Sequence, residues 1–210
     1  MFITFEGVDG SGKTTQIRLL AQALRGRGYE VLLTREPGGT PIGDRIREVL
    51  HDLKHTEMHP HTEVLLYQAS RAQLVAQVLR PALAAGQIIL CDRFYDSTLA
   101  YQGYGHGLDL AGLRALIHFA TGGLKPDLTV YLELSAAAGL ARRQQAAATG
   151  GEEFNRMDAF ALEFYERVRA GYESLIEAEP GRWLRVKAEQ PIEALHQDIM
   201  ALLSPKLPGA

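Results

Sequence analysis

The chain has 210 residues, 46% of them hydrophobic and 22% charged, proportions that suit one folded domain with a full α/β core. Its formal net charge of −3 argues against a bulk nucleic-acid or membrane-surface binder, so any phosphate recognition must be local. Cys91 is the only cysteine, which excludes an intrachain disulfide; within Ile88-Ile89-Leu90-Cys91 it reads as a small buried hydrophobe.

No apolar run is long enough to span a bilayer. The chain opens directly on a strand, without a basic n-region or a long h-region, so a cytoplasmic protein is expected. The apolar, β-branched opening run breaks at Gly7 into a glycine-rich turn, and an amphipathic helix follows from about Lys13 to Arg27, with Ile17, Leu20, Ala21 and Leu24 on one face. Gly7, Gly12, Lys13 and Thr14 satisfy G-x-x-x-x-G-K-[ST] between a strand and a helix, where its mechanism needs it. A polyphosphate needs several N–H donors aimed at one point; glycines let the backbone wrap close enough to supply them, and the helix adds its N-terminal dipole. Gly7, Val8, Asp9, Gly10, Ser11, Gly12, Lys13, Thr14 and Thr15 are therefore the candidate nucleotide-polyphosphate cradle. Lys13 is placed to reach the β- and γ-phosphates and the Thr14 hydroxyl to ligate Mg²⁺.

Tyr29–Thr34 reads as a second strand and Arg35-Glu36-Pro37-Gly38-Gly39 as a loop. Thr40 and Pro41 are an N-cap and N1 pair opening a helix with Ile42, Ile46, Val49 and Leu50 as its apolar face. Residues 51–61 are polar and carry four histidines, but without metal-ligand spacing they read as a solvated loop. A long helix is expected from about Thr62 to Ala84, with Val64, Leu65, Leu74, Val75, Val78 and Leu79 as core candidates and Pro81 kinking or tightening its last turn. Tyr67 and Arg71, four apart, share a face and make a plausible platform for a planar base.

Gln87–Asp92 is a third strand, apolar throughout and so expected to be buried on both faces. It ends in Asp92, a candidate second oxygen for Mg²⁺; Arg93 lies one residue too far for the metal but is well placed for a second phosphate. Ser97 and Tyr101 repeat the four-residue spacing. Asp109–Thr121 is helical, with Leu110, Leu113, Leu116, Ile117 and Ala120 facing in; Asp127–Leu134 is a fourth strand; Ser135 caps a helix to about Ala147. Residues 146–153 have the composition of a mobile loop. A helix from about Arg156 to Ala178 carries Phe160, Phe164, Val168, Tyr172 and Leu175 on one stripe. A short strand, Trp183–Val186, and a closing helix, Pro191–Leu203, complete the chain. Strands alternate with helices throughout, so the expected fold is a P-loop NTPase three-layer α/β architecture, a five-stranded parallel sheet flanked by helices, in one domain over 1–210. In such a sheet ligands collect at the carboxyl ends of the strands, which here bring the P-loop, Arg35 and Asp92-Arg93 to one edge.

Three segments resemble the signatures of the bacterial thymidylate kinase family: Phe5-Glu6-Gly7-Val8-Asp9-Gly10-Ser11-Gly12-Lys13-Thr14-Thr15, Thr34-Arg35-Glu36-Pro37-Gly38-Gly39-Thr40-Pro41, and Asp92-Arg93-Phe94 with Asp96-Ser97-Thr98-Leu99-Ala100-Tyr101-Gln102-Gly103. Leu65-Leu66-Tyr67 with Arg71-Ala72-Gln73 is similar to the family's thymine-binding helix, and Glu166–Tyr172 to a further stretch. The resemblance implies phosphoryl transfer from Mg·ATP to dTMP by a homodimer, with the helices carrying Val64–Leu79 and Leu110–Ile117 as candidate interface elements. It implies that Asp9 holds the acceptor 3′-hydroxyl and that Tyr67 stacks on thymine, where the family often has Phe. Arg71 would bond the base edge with Gln73 and Ser97 nearby, and Arg93 would clamp the acceptor phosphate with Arg35 assisting. Tyr101 would lie under the sugar and exclude a 2′-hydroxyl, and Arg142 would pack on adenine. The lid would span about 142–157. The P-loop interior, Val8-Asp9-Gly10-Ser11, has no arginine, so the resemblance implies a lid arginine, with Arg143 and Arg156 as candidates. The chain departs from the family at Gln68, Ser70 and His106, at Asn155-Arg156-Met157-Asp158, and in a lid poor in arginine. Another nucleotide kinase on the same scaffold would differ by acceptor. A guanine-reading regulatory switch would need an Asn-Lys-x-Asp motif, which the chain lacks.

Overall fold

The computed structural model describes residues 1–148, 156 and 160–209. Five strands, β1 (Phe2–Glu6), β2 (Val31–Arg35), β3 (Ile88–Asp92), β4 (Leu128–Glu133) and β5 (Trp183–Lys187), form one parallel sheet in the order β2-β3-β1-β4-β5. The order reverses at β1, which pairs with β3 on one side and β4 on the other. That switch point opens the crevice beyond the strands' carboxyl ends.

The helices are α1 (Lys13–Gly26), α2 (Pro41–His51), α3 (Pro60–Leu74), α4 (Arg80–Ala84), α5 (Tyr95–Thr98), α6 (Leu110–Thr121), α7 (Ala136–Ala148), α8 (Leu162–Ala178) and α9 (Ile192–Leu203). On one sheet face, Ile17, Leu20 and Leu24 of α1 and Leu195, Ile199 and Leu203 of α9 pack on Ile3, Phe5, Leu90 and Val130. On the other, Leu74 and Leu79 meet Phe2, Ile89 and Cys91, while Leu99, Leu113, Val168 and Tyr172 meet Tyr131 and Trp183. The central strands β1, β3 and β4 are buried on both sides because helices cover both sides. The period of two along β1 therefore sends Ile3 and Phe5 to the α1 face, and Phe2, Thr4 and Glu6 to the other. Among the described residues no helix is long and apolar enough to cross a membrane.

Several expectations shift. The helix expected over 62–84 starts earlier, at Pro60, and is interrupted by a π-helical turn at Val75–Leu79. Pro81 lies just beyond that turn; its missing N–H and its ring's conflict with the carbonyl four residues back are relieved where the helix widens. The segment after Arg93 is helical as well, α5 running into a second π-helical stretch at Leu99–Gly105 that the sequence reading left unassigned. β2 starts at Val31 rather than Tyr29, and α8 at Leu162 rather than Arg156. Thr40 caps α2 as expected, accepting from the Gly43 N–H at 3.0 Å. On α2 only Leu50 of the four expected core residues is buried; Ile42 and Val49 are exposed, as are Leu65 on α3 and Leu116 on α6. Of the expected loop 146–153, residues 146–148 continue α7 and the remainder lies outside the described residues.

Candidate active site

β1 and α1 are joined by the loop Gly7–Gly12, in which Gly7, Gly10 and Gly12 have φ of 138°, 77° and 90°. At Gly12, the residue before α1, open space surrounds the Cα and the backbone angle alone favours glycine. At Gly10 the constraint is contact: a Cβ would sit 2.5 Å from the Gly139 carbonyl oxygen in the first turn of α7, so α7 can rest on the loop only over a glycine. The Lys13 ammonium is buried and folds back over the loop, donating to the carbonyls of Gly7 (3.2 Å) and Val8 (3.0 Å) and to the Ser11 hydroxyl (3.5 Å). Burial, then the Arg93 charge, pulls its pKa down to about 8 against the pull of Asp9, Asp92 and Glu6.

Thr14, one position on, donates its hydroxyl to Asp92 Oδ2 at 2.7 Å. A hydroxyl and a carboxylate from two different elements thus meet at the mouth of the phosphate loop. Hard oxygen donors of this kind suit Mg²⁺, which binds through one or two protein oxygens and completes its shell with phosphates and water.

Arg93 is the only non-glycine residue among those described with positive φ, at 68°. A side chain in this region costs backbone energy, which the surroundings must hold. The surroundings here are dense. Nη2 donates to Asp9 Oδ1 at 2.6 Å and to the Tyr101 hydroxyl at 3.1 Å; Nη1 donates to the Ser97 hydroxyl at 3.0 Å and the Tyr172 hydroxyl at 3.3 Å. The guanidinium also lies 4.9 Å from the Tyr101 ring centroid. Tyr101 in turn donates to Asp9 Oδ2 at 2.9 Å. Burial raises the Asp9 pKa, but Arg93, Lys13 and the Tyr101 hydroxyl outweigh it and hold the carboxyl well below the usual range.

Tyr67 and Arg71 on α3 both line the same cavity, as their spacing predicts. Arg71 is fully buried and its orientation is fixed: Nε donates to both Glu36 oxygens (3.1 and 2.9 Å), Nη2 to Glu36 Oε2 at 2.5 Å, and Nη1 to Gln68 Oε1 at 2.9 Å. Gln68, where the family resemblance implies a small residue, is thus a partner of Arg71. Ser70 accepts from the Gly38 N–H at 3.0 Å and ties α3 to the loop after β2. Gln73 is not brought to the cavity. Two residues past Arg71 the helix has turned by about 200°, and Gln73 instead donates to Gln77 Oε1 at 2.8 Å.

Ser97, Thr98, Tyr101 and Gln102 reach the cavity from the helical segment after Arg93, and Arg47 and His51 from α2. Arg35 lines it too, donating to Asp44 Oδ1 at 3.0 Å. The two lid candidates part company. Arg143 lines the cavity from α7, beside Arg142, which donates to the carbonyls of Gly10 (3.4 Å) and Ala188 (3.3 Å). Arg156 does not line it; it is buried, donating Nε to the Leu50 carbonyl at 3.0 Å and Nη2 to the Glu63 carboxylate.

Glu6 was missed by the sequence reading. Its carboxylate, fully buried on β1, accepts from the Phe94 N–H (2.8 Å), the Ser97 hydroxyl (2.6 Å) and the Tyr172 hydroxyl (2.8 Å). Burial, then Asp96, pushes its pKa up to about 7 against Arg93, Ser97 and the Phe94 N–H. One signal was available: a carboxylate inside an otherwise apolar buried strand. Tyr172 lies in a stretch similar to the family, but its spacing on α8 is that of a core residue and gives its hydroxyl no role.

Together these groups enclose a cavity of about 1010 Å³ over the carboxyl ends of β1, β2 and β3, large enough for two nucleotide-sized ligands side by side. Eight basic and three acidic side chains line it, so a chain of net charge −3 presents a cationic site.

Comparison with known proteins shows the family. The sequence model of the thymidylate kinase family matches residues 5–199. The thymidylate kinase of Roseiflexus sp. (strain RS-1) is 55% identical over 214 residues, covering 99% of this chain and 95% of that protein. That of Chlorobium luteolum is 49% identical over 208 residues, covering 97% of each. The crystal structure of thymidylate kinase from Ehrlichia chaffeensis superposes with a TM-score of 0.79 at 33% identity, over 97% of this chain and 98% of that one. With a five-stranded parallel sheet of the P-loop NTPase type and this likeness over almost its whole length, the chain belongs to the thymidylate kinase family.

Proposed function

We infer that the protein transfers the γ-phosphoryl group of ATP to the 5′-phosphate of dTMP, giving dTDP and ADP for dTTP synthesis, and that it works as one domain. The observation that carries this reading is the adjacency of Asp92 and Arg93 at the end of β3. Asp92 meets Thr14 of the P-loop, while Arg93 turns at φ 68° toward Asp9, Ser97 and Tyr101. A donor phosphate chain on the P-loop and an acceptor phosphate on Arg93 then meet across one residue of backbone.

In the reaction an acceptor phosphate oxygen forms a bond to the γ-phosphorus as the bond to the ADP oxygen breaks. The attacking oxygen is already anionic near neutral pH, so no general base is needed. Catalysis rests on in-line positioning and charge neutralisation. Lys13 neutralises the β- and γ-phosphates from the donor side and Arg93 the acceptor phosphate from the other. Arg143, which lines the cavity, is favoured over Arg156 as the arginine that completes the clamp. Thr14 and Asp92 would hold Mg²⁺, which supplies further positive charge to the phosphate chain. Tyr67 offers a ring to the thymine, Arg71 its fixed guanidinium to the base edge, and Tyr101, beside Asp9, the floor of the sugar site. Gln73 has no part in this arrangement.

A homodimer is part of the proposal. Ile42 and Val49 on α2, Leu65 on α3 and Leu116 and Phe119 on α6 are exposed, Phe119 by 87%. Pro41, Ile42, Ile46, Val49 and Leu66 line a shallow apolar groove, the kind of surface a second copy covers. Initial rates with a panel of nucleoside monophosphates, each against ATP and GTP, test the reaction: dTMP with ATP is expected to be the best pair. A higher rate with dUMP or dGMP overturns the acceptor assignment.

A further inference from the structure

Glu6 touches no part of the cavity, yet its partners do. Ser97 and Tyr101 line it, and Arg93 projects into it. With Glu6 ionised, the hydrogen-bond directions are fixed by what each group can give. Ser97 and Tyr172 own one hydroxyl proton each, and both donate it to Glu6 Oε2. Their oxygens are then left as acceptors, and both accept from Arg93 Nη1. The 3.1 Å contact between the two hydroxyls needs no proton of its own. Glu6 Oε1 meanwhile accepts the Phe94 N–H, the first donor after the left-handed turn at Arg93. One carboxylate therefore holds the clamp at both ends, the strained backbone and the guanidinium tip.

We propose that Glu6 is a positioning residue for the acceptor clamp, setting Ser97 and Tyr172 as proton donors to itself and therefore as acceptors for Arg93. The inference rests on the reading of Arg93 as the acceptor-phosphate ligand. It gives the buried carboxylate a purpose: a strand core position that could hold a valine holds instead a costly charged group, and its three donors all lead to one arginine. Asp96 and Arg182 pair with each other beside it, and Arg93 is the cation that the Ser97 and Tyr172 hydroxyls bonded to Glu6 reach.

Glu6→Gln keeps the shape and the oxygen facing Phe94 but replaces the second acceptor with a donor. The Ser97 and Tyr172 hydroxyls must then turn, and their oxygens are shared between glutamine and Arg93. The expected result is a rise of about tenfold in both KM and Kd for dTMP, with KM for ATP within about twofold of wild type. Tyr172→Phe should weaken dTMP binding by less, and the double variant should be no weaker than Glu6→Gln alone, because both act through one network. Arg93→Lys is measured beside them. If it weakens dTMP binding and Glu6→Gln leaves KM and Kd for dTMP unchanged, or shifts the ATP and dTMP constants equally, the positioning role is overturned. If Arg93→Lys itself leaves dTMP binding unchanged, the clamp falls and this inference with it. Should Glu6→Gln fail to fold, Tyr172→Phe carries the test, and an unchanged dTMP constant there overturns the role.

Discussion

The Thr14 hydroxyl donates to Asp92 across 2.7 Å, joining the first turn of α1 to the carboxyl end of β3. Nothing in the packing requires that bond, since both groups face the cavity. It sets two oxygens where a divalent cation on the phosphate chain would sit. Thr14→Val and Asp92→Asn should each lower turnover by about 10²-fold or more and move the Mg²⁺ dependence to higher concentration. dTMP binding measured without metal should be unaffected. A Mg²⁺ titration of initial rates, with calorimetry for dTMP, checks both; an unshifted Mg²⁺ midpoint in both variants would remove these residues from the metal site.

Lys13 is held by three acceptors of its own loop, with its ammonium over the carbonyls of Gly7 and Val8. In the proposed reaction it meets the donor phosphates, and it touches none of the groups around Tyr67 or Arg71. Lys13→Met should therefore lose at least about 10²-fold in kcat while retaining dTMP affinity. A dTMP titration in which affinity falls as far as turnover would contradict that division of labour.

The sheet, its helices and the glycine-rich loop with Lys13 and Thr14 were legible because their physics is local. A phosphate loop needs glycines at fixed offsets, and Thr40-Pro41 carries its cap in the sequence. The polar cluster around Arg93 is different. Glu6, Ser97, Arg93 and Tyr172 come from β1, the segment after β3, and α8, and only folding shows that their polar atoms converge. Periodicity placed Tyr172 on a core stripe, correctly, but periodicity is blind to a hydroxyl at the end of a buried ring. The same limit explains α2: Ile42, Ile46 and Val49 have helical spacing, yet an apolar stripe looks alike whether it meets the core or a partner. Gln73, which the resemblance places near the base, does not line the cavity because two residues past Arg71 is nearly the opposite side of a helix.

Arg71 and Glu36 form an ion pair with side chains 1% and 3% exposed. Breaking a buried pair from one side leaves the other charge uncompensated. Glu36→Ala should therefore destabilise the fold by about 3–5 kcal/mol, measured by urea unfolding at pH 7. It should also weaken dTMP binding, because Arg71 then loses the partner that aims it. A loss of only a few tenths of a kcal/mol would mean that water or a rearranged Gln68 replaces the carboxylate.

Glu6 predicts a particular slope of stability with pH. Its pKa is about 7 in the folded chain against an ordinary value of 4.5, so between those values the folded state binds more protons than the unfolded state. Stability conferred by the neutral carboxyl is complete below about pH 4.5 and is lost as pH rises through 7. The total is on the order of 3 kcal/mol. Asp96, also raised by burial, titrates in the same direction, so the comparison must be with Glu6→Gln, which keeps Asp96 and removes Glu6. Unfolding free energies from pH 4.5 to 8 should fall less steeply in that variant than in wild type; parallel curves would show that Glu6 does not titrate there.

Tyr101 combines two roles that one atom separates. Its ring is 5% exposed, meets Phe164, Tyr165 and Tyr172 edge-on, and forms the surface beside Asp9. Its hydroxyl donates to Asp9 and accepts from Arg93. If the ring excludes a 2′-hydroxyl, Tyr101→Phe leaves that exclusion in place and removes only the hydrogen bonds that fix Asp9 and Arg93. KM should then rise about three- to tenfold for dTMP, and by the same factor for the ribose analogue, leaving the ratio of kcat/KM values between the two sugars unchanged. A variant that narrows this ratio would assign the discrimination to the hydroxyl rather than the ring. One that leaves both KM values at wild-type levels would show that Asp9 keeps its orientation through Arg93 alone.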